Sequence, residues 1–336
     1  MSFYLAIDAG GTKTDYVLAN DSEVLARVRT GTIKRMRTDA ATAGANLDQA
    51  LKELTAATGV AMGEIQTTCV GTAGETVPLV ADWLREAFAA RVGGELLLLG
   101  DVEIALDAAF FGKPGVLIMA GTGSNVAGRA HTGALTTVGG WGPALADQGS
   151  GHRIGLMALR GAFRAIDELG FDVAAFDALR AKDAARASGL EASEEEGQSP
   201  ALLLRSVMNF WQLPTIAHLV EYGNAIPAPD FSRLTALVVG CAQRGDAIAK
   251  RVLVKEAQDL ADLAILAMRR VQQTAPAGWV PPVAFTGSIL ENVAPVHEGL
   301  MAGIRAEFPE AEILPQVVDP ILGALWRART LAGVTV

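Results

Sequence analysis

The amino-acid sequence predicts an α/β protein made of two related halves, the second carrying a mostly helical insertion. Three observations predict this. Over the first hundred residues, short apolar runs alternate with amphipathic stretches of helical period, as when helices are layered on a sheet. The segment Ile7-Asp8-Ala9-Gly10-Gly11-Thr12 returns as Ile118-Met119-Ala120-Gly121-Thr122-Gly123. In each copy an apolar strand enters a Gly/Thr turn and continues into a hairpin, the pattern of a duplicated unit, although two unrelated glycine-rich turns would look alike at this scale. From residue 151 to about 268, apolar residues recur at helical spacing. The expected division is therefore residues 1–113 and 114–336, with the insertion over about 151–268. A length of 336 residues agrees with this division, since domains commonly run to about 150 residues.

The elements follow in order. Residues 5–8 form an apolar strand ending in the glycine turn, and residues 16–19 and 24–28, separated by Asn20-Asp21-Ser22, form the returning hairpin. Asp39 is placed to cap a helix reaching about residue 57. Residues 67–71 make a second buried strand, residues 79–90 a helix, and residues 96–99 a third strand that stops at Gly100-Asp101, where another helix begins. In the second half the hairpin turn is His131-Thr132-Gly133. The insertion contributes helices over residues 154–166, 202–211 and 248–267, and Ser193-Glu194-Glu195-Glu196-Gly197 reads as a solvated loop. After Pro281-Pro282 come a strand over 283–286, a turn at Gly287-Ser288, a helix, and a final helix over 321–331 that is expected to pack on the second sheet.

Composition removes several function classes. Acidic residues outnumber basic ones, 37 to 28, for a net charge of −9, so no basic footprint is offered to nucleic acid or to an anionic membrane. Cys69 and Cys241 are the only cysteines, too few and too distant for a disulfide framework, a zinc knuckle or a self-contained Fe–S site. A reducing cytoplasm is the expected location, because the N-terminus lacks the basic and apolar regions of a signal peptide. No run approaches the ~18 apolar residues that cross a bilayer.

Two familiar phosphate signatures are absent. Gly112-Lys113 is followed by Pro114, which is not a P-loop, and Gly121-Thr122-Gly123-Ser124-Asn125 lacks the third glycine of a dinucleotide fingerprint. Phosphate can instead be held by backbone N–H groups exposed in a glycine turn. Gly10, Gly11, Thr12, Lys13 and Thr14 supply such a turn with hydroxyls and one cation, and Asp8 beside it suits a magnesium shell, which takes one or two carboxylates; a plain hairpin turn is the alternative. Gly121, Thr122, Gly123 and Ser124 repeat the chemistry in the second half, so the pair could clamp a polyphosphate. Asp101 stands at the carboxyl end of a strand, where α/β sheets place site residues, and equally where a helix is capped. The stretch from Gly139-Gly140-Trp141-Gly142 through Asp147-Gln148-Gly149-Ser150-Gly151 reads as a binding loop. Trp141 offers a flat face for a sugar ring and Asp147 acceptors for its hydroxyls; a core anchor and a helix cap are the respective alternatives. His152 reads as structural.

Taken as a set, Asp8 to Thr14, Gly100-Asp101, Gly121 to Asn125, Gly139 to Gly142, Asp147 to Ser150, and Phe285-Thr286-Gly287-Ser288 resemble the N-acetylglucosamine kinase branch of the BadF/BadG/BcrA/BcrD ATPase family, within the actin-like ATPase superfamily. The resemblance spans nearly the whole chain. It implies two ribonuclease-H-like domains with ATP and Mg2+ in the cleft between them, an amino sugar as acceptor, and a homodimer among the allowed assemblies. It carries phosphate binding onto Gly10 to Thr14 and Gly121 to Ser124, the adenosine-side glycine onto Gly287, and the catalytic base onto Asp101. Sugar contacts fall on Asn125, Gly140, Trp141 and Asp147, and the magnesium-shell acid on Asp8.

Three departures bear on the substrate. The asparagine that family members place after the first hairpin is replaced by Gly31-Thr32-Ile33-Lys34-Arg35, Gln148 stands where the branch has an acid, and Thr286-Gly287-Ser288 has one glycine fewer. The expected activity is ATP-dependent phosphorylation of the 6-hydroxyl of N-acetylglucosamine or glucosamine. The alternative is an ATPase of the same family acting as an activator or nucleotide-dependent sensor; the Fe–S activators among these need paired cysteines that this chain lacks.

Overall fold

The computed structural model describes residues 2–186 and 200–334, so the expected loop at Ser193-Glu194-Glu195-Glu196-Gly197 lies outside the described residues. The first sheet holds β1 (Phe3–Ala9), β2 (Lys13–Ala19), β3 (Val24–Gly31), β4 (Ile65–Gly71) and β5 (Glu95–Leu99), in the order β3-β2-β1-β4-β5. The second holds β6 (Gly115–Ala120), β7 (Ser124–Arg129), β8 (Leu135–Gly139), β9 (Val283–Thr286) and β10 (Ile313–Val317), in the order β8-β7-β6-β9-β10. In both, the first three strands are antiparallel neighbours and the fourth joins the first in parallel. The two sheets thus share one topology, the ribonuclease-H-like arrangement. Ala9 and Ala120 close the equivalent first strands, so the echo in the sequence is a structural duplication.

The first half adds α1 (Ala40–Thr58), α2 (Pro78–Ala89) and α3 (Asp101–Phe110). Asp39 caps α1 by accepting the Thr42 N–H at 2.9 Å, as its position predicts. The insertion comprises α4 (Gly151–Leu169), α5 (Val173–Arg186), α6 (Ala201–Phe210), α7 (Ile216–Gly223), α8 (Thr235–Gln243) and α9 (Ala247–Gln272), and the chain ends through α10 (Ser288–Asn292), α11 (Ala294–Glu307) and α12 (Pro320–Leu331). Helix α9 is no excursion from the second half. Its buried Leu260, Ala264 and Val271 join Val116, Ile118 and Val126 of the second sheet in one core. No helix among the described residues is long and apolar enough to cross a membrane.

The final helix departs from expectation: α12 covers the first sheet, not the second. Ile321, Ala324, Leu325 and Ala328 bury against Tyr4, Ala6, Val17 and Cys69, while the opposite face of that sheet packs Leu5, Ile7, Tyr16 and Leu18 against α1 and α2. Helical spacing fixes which face of α12 is apolar but carries no information about which sheet receives it. Strand β10 was also not anticipated, being short and interrupted by Pro315.

Helix α3 joins the two halves. Its Ala105, Leu106 and Phe110 pack on Leu117, Ala127 and Ala284 of the second sheet. Fully buried Asp107 pairs with Arg129 of β7 at 2.7 Å and also accepts from Arg327 of α12, which reaches Glu103 at 3.1 Å. A buried ion pair that loses one partner leaves an uncompensated charge. Asp107→Ala is therefore expected to lower stability by about 3–5 kcal/mol, read as a shifted denaturant midpoint. Arg27→Ala, which removes only the exposed pair with Asp319 at 2.8 Å, should change it by less than about 1 kcal/mol.

Candidate active site

The carboxyl edge of the first sheet gathers the acidic groups. Asp8 ends β1 opposite Asp15 of β2. Burial, reinforced by the charges of Asp101, Asp15 and Asp319 and opposed by Lys13, pushes the Asp8 carboxyl up to about 7. Asp101 is the first residue of α3 rather than its cap, which is Gly100. Its Oδ1 accepts the Val102 N–H at 2.9 Å, which fixes the carboxylate's direction. Between Asp8 and Lys13 the turn is open: Gly11, Thr12 and Lys13 are exposed. It is braced from behind by Thr32, whose hydroxyl donates to the Gly10 carbonyl at 2.7 Å.

Thr14 does not belong with them. It is fully buried, and its hydroxyl accepts the Ile33 N–H at 3.1 Å, so it secures β2 and faces the core rather than the turn's ligand side. Ser124 is similar: its hydroxyl, 7% exposed, donates to the Gln148 carbonyl at 2.7 Å and ties the binding loop to β7. The phosphate-binding side chains expected at these two positions are thus committed to structure.

On the second sheet, the β6–β7 turn carries Gly121, Thr122 and Gly123, and the segment after β8 is sewn to it. The Gly151 N–H donates to the Gly121 carbonyl at 2.8 Å and the His152 N–H to the Thr122 carbonyl at 3.2 Å. Asp147 is 6% exposed and left-handed, at φ 66°. Burial raises its pKa, opposed by hydrogen bonds from the backbones of Ser124 and Gly142 and by His152. Gly123 lies close against it: a Cβ at that position would stand 3.1 Å from the Asp147 Oδ2. Ser150, not Asp147, caps α4 by accepting the Arg153 N–H. Trp141 is 75% exposed, which excludes a core anchor, and Gly140 lies against the Asn125 side chain. The buried oxygens Asn125 Oδ1 and Gln148 Oε1 have no hydrogen-bond partner.

Two cavities lie beside these edges. One of about 820 Å³ runs between the sheets, lined by Asp8, Lys13 and Arg29 on one side and Thr286, Gly287 and Asp319 on the other. A second of about 430 Å³ lies beyond Ser288, which lines both, and is bounded by Gly121, Thr122, Arg233, Gly240 and Asn292. Gly287, at φ 105°, lines the first cavity just before Ser288. A Cβ there would meet the Ala120 carbonyl at 2.4 Å, so only glycine lets β9 pass so close to the end of β6. Among the described residues, no group of three or more His, Cys, Asp or Glu side chains could hold a metal ion.

Sequence reasoning missed the α8 and α10 walls of the second cavity, and it missed Glu256. This α9 carboxylate, 1% exposed, accepts the Gly149 N–H at 2.9 Å and the Arg153 Nε at 3.0 Å, holding the binding loop from behind. Its signal was present: Glu256 interrupts the apolar stripe of Leu253, Ala257 and Leu260. Both cysteines are buried, and burial pushes the Cys69 thiol up to about 12.

The sequence profile of the BadF/BadG/BcrA/BcrD ATPase family matches residues 5–328. Among curated proteins, an N-acetylmuramic acid/N-acetylglucosamine kinase of Clostridium acetobutylicum is 24% identical, over 98% of this chain and 99% of the relative. An N-acetyl-D-glucosamine kinase of Dictyostelium discoideum is 26% identical, over 96% of each. A Chromobacterium violaceum protein whose N-acetylglucosamine kinase assignment is itself provisional shares the fold, with a TM-score of 0.66 at 23% identity over 97% of this chain and 98% of its own.

The buried anchor of the binding loop is directly testable. Glu256→Ala should lower stability by about 3 kcal/mol or more, as for a broken buried pair. It should also speed amide hydrogen exchange at Gly149 and its neighbours ahead of exchange in the second sheet.

Proposed function

The chain belongs to the BadF/BadG/BcrA/BcrD ATPase family, and from that premise we propose that it is an ATP-dependent kinase for the 6-hydroxyl of an amino sugar, N-acetylglucosamine or glucosamine. The observation that carries this reading is the duplication: equivalent strand ends from two sheets carry Gly/Thr turns, Asp8 and Lys13 flanking the first line one cavity, Gly121 and Thr122 of the second line the other, and Ser288 lines both, with Asp101 and Asp8 on one edge and the Trp141–Asp147 loop on the other. The sugar-kinase names of the two curated relatives support it.

The residues divide into three tasks. The backbone N–H groups of the Gly10–Gly11–Thr12 turn and the Gly121–Thr122–Gly123 turn hold the phosphate chain, with Lys13 adding charge, while the cavity beyond Ser288 receives the nucleoside against Gly287. Trp141 supplies a face for the sugar ring, and Asp147 accepts from its hydroxyls. The unpaired oxygens of Asn125 and Gln148 are suited to the same donors.

Asp101 then orients the 6-hydroxyl. With Oδ1 engaged by Val102, its second oxygen accepts the proton as the hydroxyl oxygen bonds to the γ-phosphorus. The bond from that phosphorus to the β–γ bridging oxygen breaks, and ADP leaves with the electron pair. Phosphoryl transfer depends on positioning and charge neutralisation more than on covalent chemistry by the protein. Mg2+ fits the edge, because Asp8, buried and facing three other carboxylates, has its charged form disfavoured in a way that a bound cation relieves. Asp8 is the residue that would hold it, together with substrate phosphates and water. The ion would supply neutralisation of the phosphate charge.

Asp101→Asn is expected to lower sugar-dependent ADP release by 100-fold or more, on the order of the loss of a general base. ATP affinity by calorimetry should stay within about twofold; retained turnover removes Asp101 from the base role. Trp141→Ala should raise the sugar KM about tenfold, as for loss of about 1.4 kcal/mol of contact, without changing the KM for ATP. The first assay is ADP release with ATP and magnesium against N-acetylglucosamine, glucosamine, N-acetylmannosamine, glucose and N-acetylmuramic acid. No stimulation by any of them, in protein that binds ATP, would favour the sensor alternative.

A further inference from the structure

The segment after β3 carries a cation with no structural task. Thr32 fastens this segment to the Gly10 carbonyl at 2.7 Å, and Asn46 of α1 donates to the Thr32 carbonyl at 2.9 Å. A tight turn follows, in which the Arg37 N–H donates to the Lys34 carbonyl at 2.8 Å and the Arg35 guanidinium closes on the Thr38 carbonyl at 2.6 Å. This turn delivers Arg37 over the open glycine turn at the end of β1. A Cβ built on Gly11 would lie 3.8 Å from the Arg37 Nε and 3.9 Å from its Cγ.

Arg37 is exposed, and among the described residues its guanidinium has no hydrogen-bond or ion-pair partner. The contrast with its neighbours is informative. Arg29 is paired with Asp15 of the neighbouring strand at 2.6 Å, and Arg27 with Asp319 across the cleft at 2.8 Å. An unpaired arginine lying against an open turn of backbone N–H groups has the geometry for a divided negative charge that the protein itself does not supply. A planar guanidinium makes two parallel hydrogen bonds to phosphate oxygens, which a lysine does not.

We propose that Arg37 is a further catalytic residue, which contacts the terminal phosphoryl group at the Gly10–Gly11 turn and neutralises the charge that develops as the group is transferred. This rests on the kinase reading for its acceptor but on the turn alone for its phosphate. The charge is supplied from within the chain, by a segment held to the phosphate turn by Thr32, so the cation and the N–H groups move as one unit.

The test compares wild type, Arg37→Ala and Arg37→Lys. Because the side chain makes no bond within the protein, all three should share one thermal unfolding midpoint. Arg37→Ala is expected to lower kcat on the order of 10²-fold, as for removal of one preorganised donor, with the sugar KM and the Kd for Mg-ADP within about threefold of wild type, less than the tenfold that 1.4 kcal/mol produces. Arg37→Lys should recover only part of the loss, and free guanidinium chloride should restore activity to Arg37→Ala but not to wild type. A kcat within about threefold of wild type, or a loss confined to the sugar KM, overturns the proposal. A wild type that no sugar stimulates defeats the kinase reading instead. The Arg37 assignment is then judged on the complex of Mg-ADP with aluminium fluoride, a mimic of the transferring group: equal affinity in wild type and Arg37→Ala overturns it, and a loss of about tenfold or more, well above the Mg-ADP change, upholds it.

Discussion

The arrangement of both halves depends on one buried carboxylate. Asp107 lies inside α3 without solvent and is neutralised from two directions, by Arg129 of the second sheet and by Arg327 of α12. Removing a carboxylate from water costs several kcal/mol, which is offset only when partners approach closely and in good geometry. The pairing therefore specifies that α3, β7 and α12 meet at one point. Asp101 is the first residue of that same helix, less than two turns away. The side chain proposed to act on the acceptor thus inherits its position from a charge pair in the core.

The same economy of charge shapes the cleft. Asp8, Asp15 and Asp101 stand on one edge with Asp319 facing them across the cavity, and the repulsion of these carboxylates adds to burial in raising Asp8 toward neutrality. Such crowding disfavours the closed, empty site and favours any ligand that brings positive charge with it. The opposite wall presents Glu291 and Asp319 beside Thr286, Gly287 and Ser288. The two sheets have one topology but different chemistry: the position of Asp8 in the first is taken by Met119 in the second, and its cross-strand partner Asp15 by Asn125's neighbourhood of neutral groups.

Much of this was legible in the sequence, and the reasons for the rest are physical. Strand ends, glycine turns and Asp101 are local patterns, so Asp8, Gly10, Gly121 and the duplicated hairpins could be placed from short windows. Thr14 could have been placed too. It alternates in register with Tyr16 and Leu18, which face α1, and therefore points away from the turn's ligand side. The binding loop was recognisable by composition, but the choice between Asp147 and Ser150 as helix cap was not, since both residue types cap well. Glu256 and α12 are long-range facts. One holds a loop more than a hundred residues earlier, the other covers the opposite half of the molecule, and no periodicity encodes either destination.

The placement of α12 also bears on how the protein is made. The face of the first sheet formed by Tyr4, Ala6, Val17 and Cys69 is covered by Ile321, Ala324, Leu325 and Ala328. During synthesis the strands emerge first, and Ile321 of their cover follows Cys69 by 252 residues. At about 5–20 residues per second, that apolar face waits some tens of seconds for its partner. The first sheet is therefore covered only after all ten strands have been made, and until α12 emerges this apolar face lies open. A chain stopped before Pro320 would retain Asp8 and Asp101 in its sequence while lacking the helix that closes the sheet to which Asp8 belongs.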